Sequence, residues 1–210
     1  MGNRITEREK IQKLKTIPWC SAALTAINIL VFLLCHIWGD FFYNQGSFSV
    51  AYLLRRGDYY RLITAMFLHV SIGHLVNNMI LLFFAGELVE KTIGRVRFLI
   101  LFFFSGVIGN LLSGVFEIVT GSYYDSVGAS GAVFGIIGGL LYLVIARKGH
   151  GAGISMQRMV LMVAFSLYSG FKDPMVNNAA HLGGLLSGCL ITFLLCHIGK
   201  IPGTVSGRDQ

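Results

Sequence analysis

An uncharged run of twenty residues, Trp19–Trp38, is the feature that most restricts how this chain can fold. A helix needs about 20 apolar residues to cross the hydrocarbon core of a bilayer, and this run is that long. The rest of the chain has the same character, because 54% of its 210 residues are hydrophobic and only 13% are charged. Soluble domains carry about a quarter charged residues, and disordered chains are less hydrophobic. The composition therefore predicts a small integral membrane protein.

Five further apolar segments are long enough to span a bilayer, or can be extended to do so. They are Phe67–Leu88, Phe98–Val119, Ser126–Ala146, Met159–Phe171 extended backwards through Ile154–Gln157, and Pro174–Gly199. All six spans should be helices, because a bilayer offers no water to unpaired backbone groups. The sequence thus predicts an all-α polytopic membrane protein with six helices over residues 19–199. A short basic tail, residues 1–18, precedes this bundle, and a second tail, residues 200–210, follows it.

The basic residues set the expected orientation. Most of the 17 Lys and Arg residues fall in the two tails and in the connections after the second and fourth spans. These four segments share one side in a six-span topology, and the positive-inside rule makes that side cytoplasmic. We therefore expect a multi-pass protein of the cell membrane with both termini in the cytoplasm. The net charge of +7 then reflects topology and attraction to anionic lipid, with no nucleic-acid partner.

Polar side chains inside a span are costly and mark candidate functional positions. In the second span, His74 and Asn78 are four residues apart and share one helical face, and His69 precedes them. Two neighbouring donors in a low-dielectric setting can hold a developing negative charge, or they can bond a neighbouring helix. Asn28 and Asn110 are expected to make interhelical hydrogen bonds.

The fourth span begins with a serine between glycines, in the stretch Gly128-Ala129-Ser130-Gly131. At a helix start, a hydroxyl lies near unpaired backbone N–H groups and the positive end of the helix dipole. The glycines permit close approach of a backbone or a substrate. Small residues are also common in packed membrane helices, so this motif alone leaves simple packing as an alternative.

The sixth span carries His181 one turn before Gly184, and Gly184 with Gly188 forms a close-packing motif. The fourth span, rich in small residues, is the expected partner, and this contact would place His181 opposite Ser130. A serine beside an imidazole, near a pair of polar donors, is the minimal arrangement for acyl transfer. Ser130, His181 and His74 are all predicted to lie near the outer ends of their spans.

This ordered set of motifs resembles the rhomboid intramembrane serine proteases over nearly the whole chain from Trp19 to Gly199. The matching residues are His69, His74-x-x-x-Asn78, Gly128-x-Ser130-Gly131, Ala180-His181-x-x-Gly184 and, in the first outer loop, Tyr60-Arg61. The resemblance implies an endopeptidase that cleaves transmembrane helices of other membrane proteins near their outer ends. It also implies a dyad without an acidic member, in which Ser130 is the nucleophile and His181 the general base.

The same resemblance implies an oxyanion hole made of His74, Asn78 and the backbone N–H of Ser130. It places an aromatic ring, often Tyr in the family, against the catalytic histidine, and here that residue is Phe134. His69 is expected to have a structural or loop-ordering role. The supporting residues are then Gly128, Gly131, Phe134, Gly184, Gly188 and His69. The expected partners are transmembrane protein substrates and membrane lipid, and no cofactor or metal is implied.

Three alternatives stand beside this interpretation. A catalytically silent rhomboid-like binding or chaperone module would be expected to lack Ser130 or His181, and both are present. A small transporter is disfavoured because the polar groups cluster at one end of the bundle and inverted repeats are not visible. A metal site formed by His69, His74 and His181 is disfavoured because the first two would point about 140° apart on one helix.

Overall fold

A computed structural model of the protein describes residues 18–146 and 176–198, together with the single positions 157 and 164. The helices of these ranges are α1 (Trp19–Trp38), α2 (Phe41–Gly46), α3 (Val50–Arg56), α4 (Arg61–Thr64), α5 (Ile72–Ile93), α6 (Arg95–Thr120), α7 (Ser130–Ala146) and α8 (Asn178–Ile198). A 3-10 turn, Ala65–Phe67, follows α4. Within the described residues, extended pairing is limited to one bridge between Phe48 and Ser126.

Four helices, α1, α5, α6 and α8, are long and apolar enough to cross a membrane, and α7 is a shorter apolar helix of 17 residues. The predicted all-helical, multi-span architecture is therefore confirmed. In chain order, α1, α5, α6, α7 and α8 correspond to the first, second, third, fourth and sixth predicted spans. The predicted fifth span, Met159–Phe171, lies outside the described residues except for Ala164. The total of six spans stays a prediction.

The α7 helix forms the centre of the bundle. Most of its residues are buried, and it packs against α8, α6 and α5. Its aliphatic side chains meet the buried rings of Phe98 and Phe102 from α6 in one hydrophobic core. A helix that is apolar on all sides belongs in the interior of a bundle, and the composition of α7 fits that position.

The connection between α1 and α5 folds into α2, α3 and α4. The Arg61 side chain, only 2% exposed, organises this segment. Its guanidinium donates to the carbonyl oxygens of Ser47 and Asn44 at 3.0 Å each and pairs with Asp58 at 3.0 Å. The ring of Tyr52 lies over the same guanidinium, 4.2 Å from it. One arginine therefore joins three parts of the connection, and its burial is matched by hydrogen bonds on all sides.

Glu117 attaches this connection to α6. Its Oε2 accepts from the hydroxyl of Ser49 at 2.9 Å and from the backbone N–H of Val50 at 3.1 Å. Ser49 is the N-cap of α3, so the carboxylate lies at the positive end of that short helix. Gly114, one turn earlier on α6, leaves room for the Val50 side chain, since a Cβ there would lie 3.2 Å from Val50 Cβ.

The two asparagines expected to join helices behave differently. Asn110 donates from Nδ2 to the carbonyl oxygen of Leu62 in α4 at 2.9 Å, so it does connect two elements. Asn28 donates to the carbonyl oxygen of Leu24 in its own helix at 2.8 Å. The prediction of an interhelical donor is therefore wrong for Asn28, because the carbonyl one turn earlier lies within its reach.

Candidate active site

Ser130, His74 and His181 all lie in the first turn of their helices. Ser130 is the first residue of α7, His74 the third of α5 and His181 the fourth of α8. The predicted fourth span starts at Ser126, but the helix itself starts at Ser130. The four residues before it form a loop that includes Gly128 at φ +131°, a conformation that L side chains rarely adopt.

Glycines bring α7 and α8 into direct backbone contact. A Cβ on Gly184 would lie 2.0 Å from the carbonyl oxygen of Gly131, and a Cβ on Gly188 would lie 2.0 Å from that of Gly135. No side chain fits at such distances, so only glycine permits this packing. The glycine spacing predicts a contact between the fourth and sixth spans. The packing of α7 against α8 is this contact.

The α6 helix also packs against this contact through small residues. A Cβ on Gly109 would lie 2.8 Å from the carbonyl oxygen of Ala180, the residue before His181. A Cβ on Gly106 would overlap the side chain of Met66 and would lie 3.1 Å from Ala132 Cβ. The sequence did not single out these two glycines. The small residues Ser105, Gly106 and Gly109 mark a packing surface on α6, but their spacing does not identify its partner.

The imidazole of His181 stacks on the ring of Phe134. The ring centroids are 4.3 Å apart and the ring planes differ by 14°. His181 is only 7% exposed, and Phe134 lies one helical turn beyond Ser130 on α7. The helix that begins with Ser130 therefore also fixes the plane of the imidazole.

Gly128 connects Ser130 with His74. The position that a Gly128 Cβ would occupy lies 2.6 Å from Cε1 of His74, 2.9 Å from its Nε2 and 3.7 Å from Ser130 Oγ. The imidazole and the hydroxyl thus border the same small space. Any side chain at residue 128 would push the His74 ring away, so the glycine keeps this space open.

Asn78 lies one turn after His74 on α5 and is 5% exposed. Among the residues that the structure describes, its Nδ2 has no hydrogen-bond partner, and neither has Nδ1 of His181. Buried polar atoms are normally paired, so such atoms are candidates for contacts with a substrate. Asp125, the carboxylate nearest in sequence to Ser130, is exposed.

His69 lies in the turn before α5, outside the helices that are long enough to cross a membrane. Its ring meets that of His74 edge-on, with 5.1 Å between centroids. The estimate that the two rings point about 140° apart is therefore wrong, because His69 precedes the helix instead of continuing it. Even so, within the described ranges no group of three or more His, Cys, Asp or Glu side chains has the arrangement of a metal site.

His69 also joins the α1–α5 connection to the loop before Ser130. Its carbonyl oxygen accepts from the Tyr43 hydroxyl at 2.6 Å, and its Nε2 accepts from the backbone N–H of Ala129 at 3.5 Å. Burial, with a smaller effect of the neighbouring His74, lowers the pKa of His69 to about 3. The ring is then neutral near pH 7, as an acceptor nitrogen requires.

Two more backbone contacts hold the same loop. Ser126 exchanges hydrogen bonds of 2.7 and 2.9 Å with Phe48, and the N–H of Gly128 donates to the carbonyl oxygen of Ala65 at 2.9 Å. Together with the hydrogen bond from the Ala129 N–H to His69 Nε2, these contacts restrict the backbone that leads into Ser130. The position of the Ser130 hydroxyl is thus set by the α1–α5 connection as well as by α7.

Asn177 is a residue of this region that the sequence did not single out. It precedes α8 and contacts Ser113 of α6, Ser126 of the loop and Ala180 of α8 through its side chain. The available signal was its place directly before an apolar helix, since asparagine is among the preferred N-cap residues. The contact of Glu117 with α3 likewise depends on the fold and has no local signal in the sequence.

A bundle of apolar helices with a serine, an imidazole and two further polar side chains gathered at one end defines a polytopic membrane protein with a candidate hydrolase site. The model of the Rhomboid domain family matches residues 56–198. The chain therefore belongs to the rhomboid family.

Named relatives agree with this assignment. The chain is 33% identical over 181 residues to Rhomboid protease GluP of Bacillus subtilis, covering 81% of this chain and 34% of that protein. It is 32% identical over 186 residues to the Putative rhomboid protease YdcA of Bacillus subtilis, covering 88% and 85%. RHOMBOID-like protein 1 of Arabidopsis thaliana is 34% identical over 153 residues, covering 72% of this chain and 38% of that protein. The chain thus spans about a third of GluP but most of YdcA.

Proposed function

We propose that this protein is an intramembrane serine endopeptidase that cleaves transmembrane helices of other membrane proteins near their outer ends. The observation that carries the proposal is the stack of the His181 ring on Phe134, in helices whose backbones touch at Gly184 and Gly131, beside Ser130. A hydroxyl and an oriented imidazole held this way are the parts that acyl transfer needs. The relatives named as proteases support the same activity.

In the proposed reaction the Ser130 hydroxyl attacks the carbonyl carbon of the scissile bond and forms an acyl-enzyme. His181 accepts the hydroxyl proton and then delivers it to the departing amine, and water completes the cycle in the reverse sense. No acid is required to orient the imidazole, because Phe134 already fixes its plane. The exposed position of Asp125, and the lack of a partner for His181 Nδ1 in the described part of the chain, favour a dyad over a triad.

The negative charge that develops on the attacked oxygen needs donors. His74, Asn78 and the backbone N–H of Ser130 are proposed for this role. The His74 ring borders the same space as Ser130 Oγ at Gly128, and Asn78 is buried one turn further along α5. Removal of one such donor typically lowers kcat about 100- to 1000-fold.

The site is proposed to open to the extracytoplasmic side, with both termini cytoplasmic and the polar ends of the helices around a water-accessible cavity. The substrate helix would enter sideways past the fifth span, and the loop Lys172–Asn178 would cap the cavity and gate access. The structure describes only Val176, Asn177 and Asn178 of this loop. A substrate helix must unwind before attack, so small or helix-breaking residues near the cleavage point should help.

The test uses purified protein in liposomes with a model single-span substrate. Wild-type protein should cleave it, and Ser130→Ala and His181→Ala should each abolish cleavage. Ser122→Ala is the matched control, since this serine is exposed outside the site and its loss should change little. Cleavage by Ser130→Ala at the wild-type rate would overturn the proposal. Substrate binding without cleavage by the wild type would favour the silent binding module instead.

A further inference from the structure

The side chain of Asn177 lies where three elements meet. Its Nδ2 donates to Ser113 Oγ of α6 at 2.6 Å and to Ser126 Oγ of the loop before α7 at 2.8 Å. Its Oδ1 accepts from the backbone N–H of Ala180 at 3.0 Å, which makes Asn177 the N-cap of α8. Both donor hydrogens and the acceptor oxygen of one amide are therefore in use.

The contacts of Asn177 lead to both reacting residues. Ser126 lies four residues before Ser130, and its backbone is already paired with Phe48. On the other side, the backbone N–H of His181 donates to the carbonyl oxygen of Asn177 at 3.2 Å. A single residue thus connects the loop that ends at the serine with the first turn that holds the imidazole.

We propose that Asn177 is a positioning residue that sets the distance and orientation between Ser130 Oγ and the His181 imidazole. This inference rests on the proposed function of the Ser130–His181 pair. Asn177 touches neither reacting side chain and acts through Ser126 and the first turn of α8. Its effect is on the geometry of proton transfer, with no contact to substrate.

The glycine contacts do not make this connection redundant. Gly184 against Gly131 and Gly188 against Gly135 fix how closely the axes of α7 and α8 approach. These glycine contacts lie within α7 and α8, whereas the loop before Ser130 lies beyond the start of α7. A shift of about 1 Å between reacting groups can lower a rate about 100-fold, so the ends of the two helices need a contact of their own.

Two substitutions and one control separate the contacts of the Asn177 amide nitrogen from the helix cap made by its oxygen. Asn177→Ser keeps a good N-cap for α8 but is too short to reach Ser113 and Ser126. Ser126→Ala removes the acceptor in the loop and leaves the backbone pairing with Phe48 intact. Ser122→Ala is the matched control, because it removes an exposed hydroxyl a few residues earlier.

The measurements are kcat and KM on the single-span substrate and the rate at which a fluorophosphonate labels Ser130. The concentration of active sites is taken from the final extent of labelling, so that misfolded molecules are not counted when kcat is calculated. Asn177→Ser and Ser126→Ala should each lower kcat per labelled site about 10- to 100-fold. KM should change less than about twofold, since ground-state binding is untouched. The double variant should be no worse than Asn177→Ser alone, because both remove the same bond.

A purely structural role would lower the number of labelled sites and leave kcat per site unchanged, and that result would overturn the inference. So would additive losses in the double variant. If the wild type shows neither cleavage nor labelling, the proposed function fails. Hydrogen exchange of loop residues 126–129 then tests whether Asn177 connects this loop with α8. Faster exchange in Asn177→Ser than in wild type would retain the connection between loop and helix, and equal exchange would overturn it.

Discussion

The imidazole of His181 and the phenyl ring of Phe134 lie parallel, with 4.3 Å between their centroids and 14° between their planes. The two residues come from α8 and α7, so the geometry of the stack depends on how these two helices pack against each other. Phe134 is one turn from Ser130, and the same short stretch of α7 therefore supplies the proposed nucleophile and the surface that orients the proposed base.

Replacement of Phe134 by Leu should lower activity while keeping apolar bulk. Aromatic pairs contribute about 0.5–1.5 kcal/mol beyond area burial, so kcat should fall about 2- to 10-fold. Phe134→Tyr keeps the stacking surface and should stay close to wild type. Initial cleavage rates, counted per labelled site, distinguish the two variants. Equal activity of the Leu and wild-type proteins would show that the stack does not orient the imidazole.

Gly184→Ala should destabilise the bundle. The added Cβ would lie 2.0 Å from the carbonyl oxygen of Gly131, and backbone cannot move aside as a flexible side chain can. Overpacking of this kind typically costs about 1–3 kcal/mol of unfolding free energy. The matched control is Gly73→Ala on α5, where a Cβ would have nothing within 4 Å. Denaturant unfolding in detergent should separate the two, and equal stability would refute the packing argument.

Much of this fold follows from the sequence because long apolar segments in a bilayer have few alternatives to helices. The first predicted span, Trp19–Trp38, has the same bounds as α1. Boundaries were less accurate where a polar loop enters a span. The second predicted span begins at Phe67, whereas α5 begins at Ile72, because the turn with His69 is held by tertiary contacts with Tyr43 and Ala129.

The candidate site was predictable to a similar degree. Spacing on one helix indicated His74 and Asn78, and the glycine motif around Gly184 indicated which helix faces Ser130. The contribution of α6 was not predictable, since nothing in the spacing of Gly106 and Gly109 identifies their partner. Contacts between distant loop residues, such as Asn177 with Ser126, depend on how the whole chain closes and cannot be read from local patterns.

Glu117→Ala should loosen the connection between α1 and α5. It would leave the Ser49 hydroxyl and the Val50 N–H without their acceptor, and buried unsatisfied groups cost about 1–3 kcal/mol. Glu117→Gln keeps one acceptor oxygen and should lose less. Hydrogen exchange of peptides that cover α3 should rise in the Ala variant and much less in the Gln variant. No rise in either variant would mean that other contacts hold α3 in place.

Arg61→Lys should also weaken this connection although the charge is retained. A lysine cannot reproduce the planar fork that reaches Ser47, Asn44 and Asp58 together. We expect a loss of about 1–3 kcal/mol in unfolding free energy. Arg55→Lys, at an exposed position of α3, is the control and should be neutral. If both variants unfold alike, the buried guanidinium network contributes no net stability.

The proposed function depends most on the pairing of Ser130 with His181, and fluorophosphonate labelling of the intact protein in liposomes tests that pairing directly. Mass spectrometry should find one adduct, on Ser130, in the wild-type protein. His181→Ala should label at least about 100-fold more slowly, because the hydroxyl then lacks its general base. Full-speed labelling of Ser130 in His181→Ala, or an adduct on another serine in the wild type, would contradict the account.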